Sequence, residues 1–141
     1  MISRISLICL AIAAMSLLVL LAGCSNGPSA VQPTMVYQVI RCDGRPAQLL
    51  SVEGETPRYD ALLGATTTIC VGWAPETPSG IDYKFIMAVP MAVSETRSGP
   101  EWAATCTVTP KEPGLYPITI IAVRGEEEVG RIQLVLDVGF G

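Results

Sequence analysis

From residue 35 onward the chain alternates short β-prone runs with turns rich in Gly, Pro and Asp, and no window carries an apolar stripe at helical spacing. A chain patterned this way buries its apolar residues by laying strands with one face inward. Residues 35–42 form the first run and end at Asp43-Gly44, a dipeptide suited to a tight turn because both residues tolerate positive φ. Residues 47–52 form a second run that can pair back on the first. Residues 53–63 hold Gly54, Pro57, Arg58 and Asp60 and read as a connection, with a helical turn at 59–63. Residues 66–74 are the clearest strand, with Ile69, Val71 and Trp73 at period two and expected to face the core. Tyr83, Phe85, Met87 and Val89 give another inward face, and residues 91–101 hold a short edge strand between Pro90 and Pro100. Residues 102–109 are β-prone. Tyr116, Ile118, Ile120 and Ala122 then form an inward set, residues 124–128 a charged hairpin tip, and Ile132, Leu134, Leu136 and Val138 the returning face. The expected fold is an all-β, two-sheet sandwich of about seven strands.

The first 34 residues are built differently. Arg4 precedes an apolar run from Ile5 to Leu21, and Leu21-Ala22-Gly23-Cys24 closes it. An apolar run of this kind, ending in small residues, has the composition of a helical secretory signal peptide. Residues 25–34 contain two prolines, a glycine and small polar residues, and read as a flexible tether reaching about 30 to 35 Å at full extension.

Two resemblances follow from these stretches. Leu21-Ala22-Gly23-Cys24 resembles the lipobox of bacterial lipoproteins. That resemblance implies cleavage after residue 23 and a lipidated Cys24, carrying diacylglycerol and acyl chains such as palmitate. The division it implies is 1–23 signal peptide, 24–34 lipidated cysteine and tether, and 35–141 β-sandwich. Ser25, where an Asp is absent, implies the outer membrane in a Gram-negative source. Residues 71–85 and 107–128 are similar to strands B to C and E to F of fibronectin type III and related immunoglobulin-like sandwiches. By that similarity Trp73 is a core tryptophan and Tyr116, just after Pro113-Gly114, closes a corner by bonding a backbone group upstream. Ile118 stands where an antibody-type domain has a cysteine, so the usual bridge between strands B and F is ruled out.

Taking residues 1–23 from 141 leaves 118, enough for one core. That remainder holds 8 basic and 13 acidic residues, a formal −5, which gives no support for binding nucleic acid. The chain has no histidine, which removes the commonest general base and the usual Ser-His and Cys-His dyads. No phosphate loop, nucleophile elbow or metal-spaced cysteine pair occurs, so no catalytic residue, cofactor or metal ligand is assigned. Cys9 leaves with the leader and Cys24 takes the lipid. Cys42, Cys70 and Cys106 remain, and Cys42 with Cys70 is the preferred disulfide pair, because Cys70 and Cys106 lie in opposite strand phases.

Glu126-Glu127-Glu128 at the hairpin tip, with Glu53, Glu55 and Asp60, are the carboxylates available for acid–base or calcium chemistry. Their spacing matches no calcium loop, and a solvated turn is the expected role. Trp102 is expected to cap the sandwich, the alternative being an exposed anchor for a partner. The expected function is that of a lipid-anchored, extracytoplasmic lipoprotein of the cell envelope. It would act as a non-catalytic binding or assembly module with a protein partner in the envelope. The alternative is a small enzyme or enzyme inhibitor on the same scaffold.

Overall fold

Among the described residues period-two alternation becomes eight strands: β1 (Thr34–Arg41), β2 (Arg58–Leu62), β3 (Thr67–Ala74), β4 (Asp82–Met87), β5 (Met91–Thr96), β6 (Ala104–Pro110), β7 (Gly114–Arg124) and β8 (Glu127–Gly139). The computed structural model describes residues 30–87, 91–96 and 102–140. No helix occurs among the described residues. The strands form two four-stranded sheets, β1-β3-β6-β5 and β2-β8-β7-β4. With β1, β3, β6 and β5 lettered A, B, E and D, and β4, β7 and β8 lettered C, F and G, this is the order of an immunoglobulin-like two-sheet sandwich, to which β2 adds one edge strand. All strand pairs are antiparallel except β2 with β8, which run parallel.

The core lies between the inner faces of the two sheets. Ile69 and Val71 from β3 and Ala104, Cys106 and Val108 from β6 meet Tyr116, Ile118 and Ile120 from β7 and Leu134, Leu136 and Val138 from β8. Each set alternates with outward residues, as the burial pattern of β6 shows by switching at every position. Burying such branched side chains contributes roughly 1.5–3 kcal/mol apiece, which is what fixes the register of these strands. Tyr83, Phe85, Met87 and Ile132 pack against this core from the margins while remaining partly exposed. Val89 lies outside the described residues.

Trp73 crosses between the sheets at the pole where β1 begins. Its indole Nε1 donates to the Tyr83 hydroxyl at 2.8 Å, and it sits beside Met35, its register partner. Gly130 of β8 makes room for both: a Cβ there would lie 2.9 Å from Met35 Sδ and 3.1 Å from Trp73 Cη2. The corner residue Tyr116 donates its hydroxyl to the Glu112 carbonyl at 2.8 Å, four residues upstream. Gly114 opens this corner at φ +146°, a conformation that favours glycine.

The connection between β1 and β2 departs from the sequence expectation in two ways. Residues 58–62 are a strand and not a helical turn, because Arg58 through Leu62 pair in a parallel ladder with Val135 through Gly139. Residues 47–52 do not form a second regular strand on β1. They form a strap that crosses from one sheet to the other. Ile40 bridges Pro46, and the Ala47 amide donates to the Val39 carbonyl. Leu49 bridges Tyr59, and the Leu50 amide donates to the Arg58 carbonyl. β2 thus takes the place of the strand expected at 47–52.

Candidate functional surface

The two poles of the sandwich carry different chemistry. The pole where β1 starts also holds the β3–β4 loop and the Gly125-Glu126 hairpin turn, since Thr34 pairs with Ala74 and Asp82 with Val123. The opposite pole holds the Asp43-Gly44 turn, the β2–β3 link and the end of β8, joined by the Gly64 amide to the Pro110 carbonyl and the Leu63 amide to the Gly139 carbonyl. At that far pole the outer face of the β2-β8-β7-β4 sheet exposes Leu62 (36%) and Leu115 (57%), and exposed Phe140 (77%) follows the end of β8 at the same pole. Leu62 pairs with Gly139 and Leu115 with Asp137, so the two leucines are offset by two residues of β8, roughly 7 Å along the strand. Exposed Leu49 and Leu50 of the strap extend this apolar character around the β2 edge.

A polar network pins the strap beside this surface. Arg41 at the end of β1 donates from Nη1 to Asp60 Oδ2 at 3.1 Å and from Nη2 to Asp43 Oδ2 at 2.8 Å. Asp60 also accepts the Gln48 amide. The Arg45 amide, and then the Arg41 guanidinium, hold the Asp43 carboxyl below its ordinary range. Asp60 and Asp43 in turn hold the proton on Arg41. Deeper in the same side, the rings of Tyr37 and Tyr59 meet edge to face at 5.9 Å with their hydroxyls 3.0 Å apart. Burial, then the bond to Tyr59, pushes the Tyr37 phenol well above its ordinary value.

The carboxylates named from the sequence are not brought together. Asp60 pairs in register with Asp137, whereas Glu128 pairs with Val123 at the other end of the same sheet. Nine residues of β8 separate Asp137 from Glu128, about 30 Å, against the roughly 5–10 Å that an acid–base carboxylate pair needs. Each is also neutralised by an arginine. Glu128 receives Arg131 Nε at 2.8 Å and Nη2 at 2.7 Å, which lowers its carboxyl below the ordinary value. Glu53, Glu55, Glu126 and Glu127 are exposed in turns or at the hairpin end. Among the described residues no group of three His, Cys, Asp or Glu side chains is placed to hold a metal ion.

Cys42, Cys70 and Cys106 are all thiols, which corrects the expected Cys42–Cys70 bridge. Register is the reason. Cys70 lies opposite Gln38, and Cys42 follows four residues later, roughly 13 Å along the strand, whereas bridged Cα atoms lie within about 7 Å. Cys106 pairs with Ile69 and points into the core. Cys70 points to the outer face as its phase requires. It is nevertheless 4% exposed, because it is a small side chain on a central strand between Gln38 and Thr105. That burial raises its thiol pKa. Trp102 is half-buried ahead of β6, where the Ala103 amide donates to the Val71 carbonyl. Cys24 lies outside the described residues.

Comparison with known proteins finds no matching family model and no matching curated relative. The far-pole surface was missed in the sequence because Leu62, Leu115 and Phe140 are distant in the chain. The signal that could have found Leu115 is its phase, opposite to the inward Tyr116.

Proposed function

We propose that this chain is an extracytoplasmic lipoprotein, anchored through a lipid on Cys24, whose sandwich is a non-catalytic binding or assembly module. The observation that carries the reading is Leu21-Ala22-Gly23-Cys24 closing an apolar leader, a pattern in which the thiol is the acceptor of the lipid. The geometry of the sandwich supports it. An anchor on the amino-terminal side leads into the pole where β1 begins, and the exposed Leu62, Leu115 and Phe140 stand at the pole opposite. A protein partner in the same envelope is the occupant this apolar, uncharged group of side chains suits, since a patch rimmed by Asp137, Asp60 and Arg58 has the anatomy of an interface. A tether of about ten residues then raises the effective concentration of a weak surface for partners on the same membrane.

Intact mass of the protein extracted from membranes tests the anchor. The expected result is an acylated Cys24 at the mature amino terminus, lost in Cys24→Ser. A mature terminus without acylation overturns the reading. Photocrosslinkers placed singly at Leu115, Phe140 and Glu126 test the surface. A shared adduct from Leu115 and Phe140, absent from Glu126, is expected.

A further inference from the structure

The two lateral sides of the sandwich are treated differently by the chain. On the β1/β2 side, residues 46–51 lie across both sheet edges, with hydrogen bonds to Val39 and Arg58 and bridges to Ile40 and Tyr59. On the other side, β4 is the last strand of its sheet, and no described strand pairs with its outer edge. Its exposure alternates along the strand, with Asp82, Lys84 and Ile86 outward. Such an edge is a template for one more strand unless the sequence blocks it.

We infer that β4 pairs antiparallel with β4 of a second copy, in the register centred on Tyr83. The inference rests on the fold alone and not on the lipid anchor. Facing residues in a ladder point to the same side, so a two-fold pairing that keeps both cores on one side must be centred on a residue. Centring on Lys84 puts that lysine directly against Lys84 of the second copy, a like-charge contact. Centring on Phe85 leaves Lys84 opposite Ile86 and Asp82 opposite position 88, with no charge matched.

Centring on Tyr83 sets Asp82 against Lys84 twice and Ile81 against Phe85 twice, with the two tyrosines on the axis. Asp82 is also engaged within its own chain, and a carboxylate accepts more than one donor. Gly80, at φ +69°, turns the chain away and limits the ladder to Ile81 through Phe85. Lys84 thus acts as a selector: alone it would blunt the edge, and Asp82 two residues earlier makes it self-complementary in one register.

Mixed crosslinking of the full chain tests the register. In a Cys42→Ser background, Asp82→Cys mixed with Lys84→Cys should form a disulfide-linked pair on oxidation, and neither variant alone should. A pair from Lys84→Cys alone overturns the inference, as does the absence of a link in the mixture. Sedimentation tests the charges. Lys84→Asp should weaken self-association about tenfold by placing like charges opposite each other, and Asp82→Lys/Lys84→Asp should restore it. Both side chains are exposed, so far-ultraviolet circular dichroism should be unchanged in every variant. Failure of the double swap to restore association, with the fold intact, also overturns the inference.

Discussion

Gly130→Ala probes whether Trp73 is held as rigidly between the sheets as its contacts require. The added Cβ would sit 2.9 Å from Met35 Sδ and 3.1 and 3.4 Å from Cη2 and Cζ2 of Trp73. Relative to glycine, alanine in a strand gains about 0.5–1 kcal/mol by narrowing the unfolded ensemble. Against that stands the overlap. Met35 ends in a flexible thioether and can rotate away for about 0.5–1.5 kcal/mol. Trp73 cannot follow without stretching its 2.8 Å bond to the Tyr83 hydroxyl, which contributes about 1 kcal/mol. Overpacking of this kind costs about 1–3 kcal/mol, and less the gain from alanine the net loss centres on about 1 kcal/mol, a fall in Tm of about 4–8 °C. Urea unfolding followed by circular dichroism measures it. The cause is isolated by repeating the substitution in Met35→Ala, where the space left by the thioether lets the methyl in and the added loss should fall by more than half. A Gly130→Ala variant as stable as the parent, or losses that add to within about 0.5 kcal/mol, would refute the reasoning.

Three further outcomes are expected. Tyr116→Phe deletes the hydroxyl that bonds the Glu112 carbonyl and should lower stability by about 1 kcal/mol, with the inward ring still packed, as read by denaturant midpoint at unchanged slope. Glu128 titrates below its ordinary value because Arg131 binds its carboxylate, so that pairing is present above pH 4.5 and is lost as pH falls through the depressed value. Arg131→Gln should return the carboxyl to its ordinary range in carbon-13 NMR titration. A maleimide should label Cys42 in the native protein within minutes and reach Cys70 and Cys106 only on unfolding, as mass spectrometry of the digest will show.

Alternation made the inward faces of β3, β6, β7 and β8 readable, because burial on one face of a strand leaves a period-two mark in the sequence. Tyr116 could be placed from the Pro113-Gly114 turn before it, and its bond to Glu112 fits that placement. β2 was not legible. Arg58, Asp60 and Leu62 face outward, which leaves Tyr59 and Ala61 as the inward signal, and its partner β8 lies some 75 residues away. The Cys42 and Cys70 pairing failed for a related reason: phase tells which face a residue takes, while register tells what lies opposite. Asp60 looked like one carboxylate among several until the end of β1 brought Arg41, and the strap Gln48, onto it.

The parallel pairing of β2 with β8 sets the order in which the domain can be completed. β8 is the last of the described strands and 13 residues long, and it lies between β2 and β7 in its sheet. A chain emerging amino terminus first, from a ribosome or a translocation channel, can zip β4 onto β7 early, but β2 then has no sheet to join. The middle of that sheet arrives last. Until residues 127–139 emerge, Ala61 and Tyr59 have no inner layer to close against, and a nascent chain stalled before Glu127 exposes the apolar faces of Ile118 and Ile120 to whatever chaperone attends it. The carboxy-terminal strand is therefore the clasp of the sandwich, and removing it should abolish the fold where trimming the amino-terminal side of Thr34 does not.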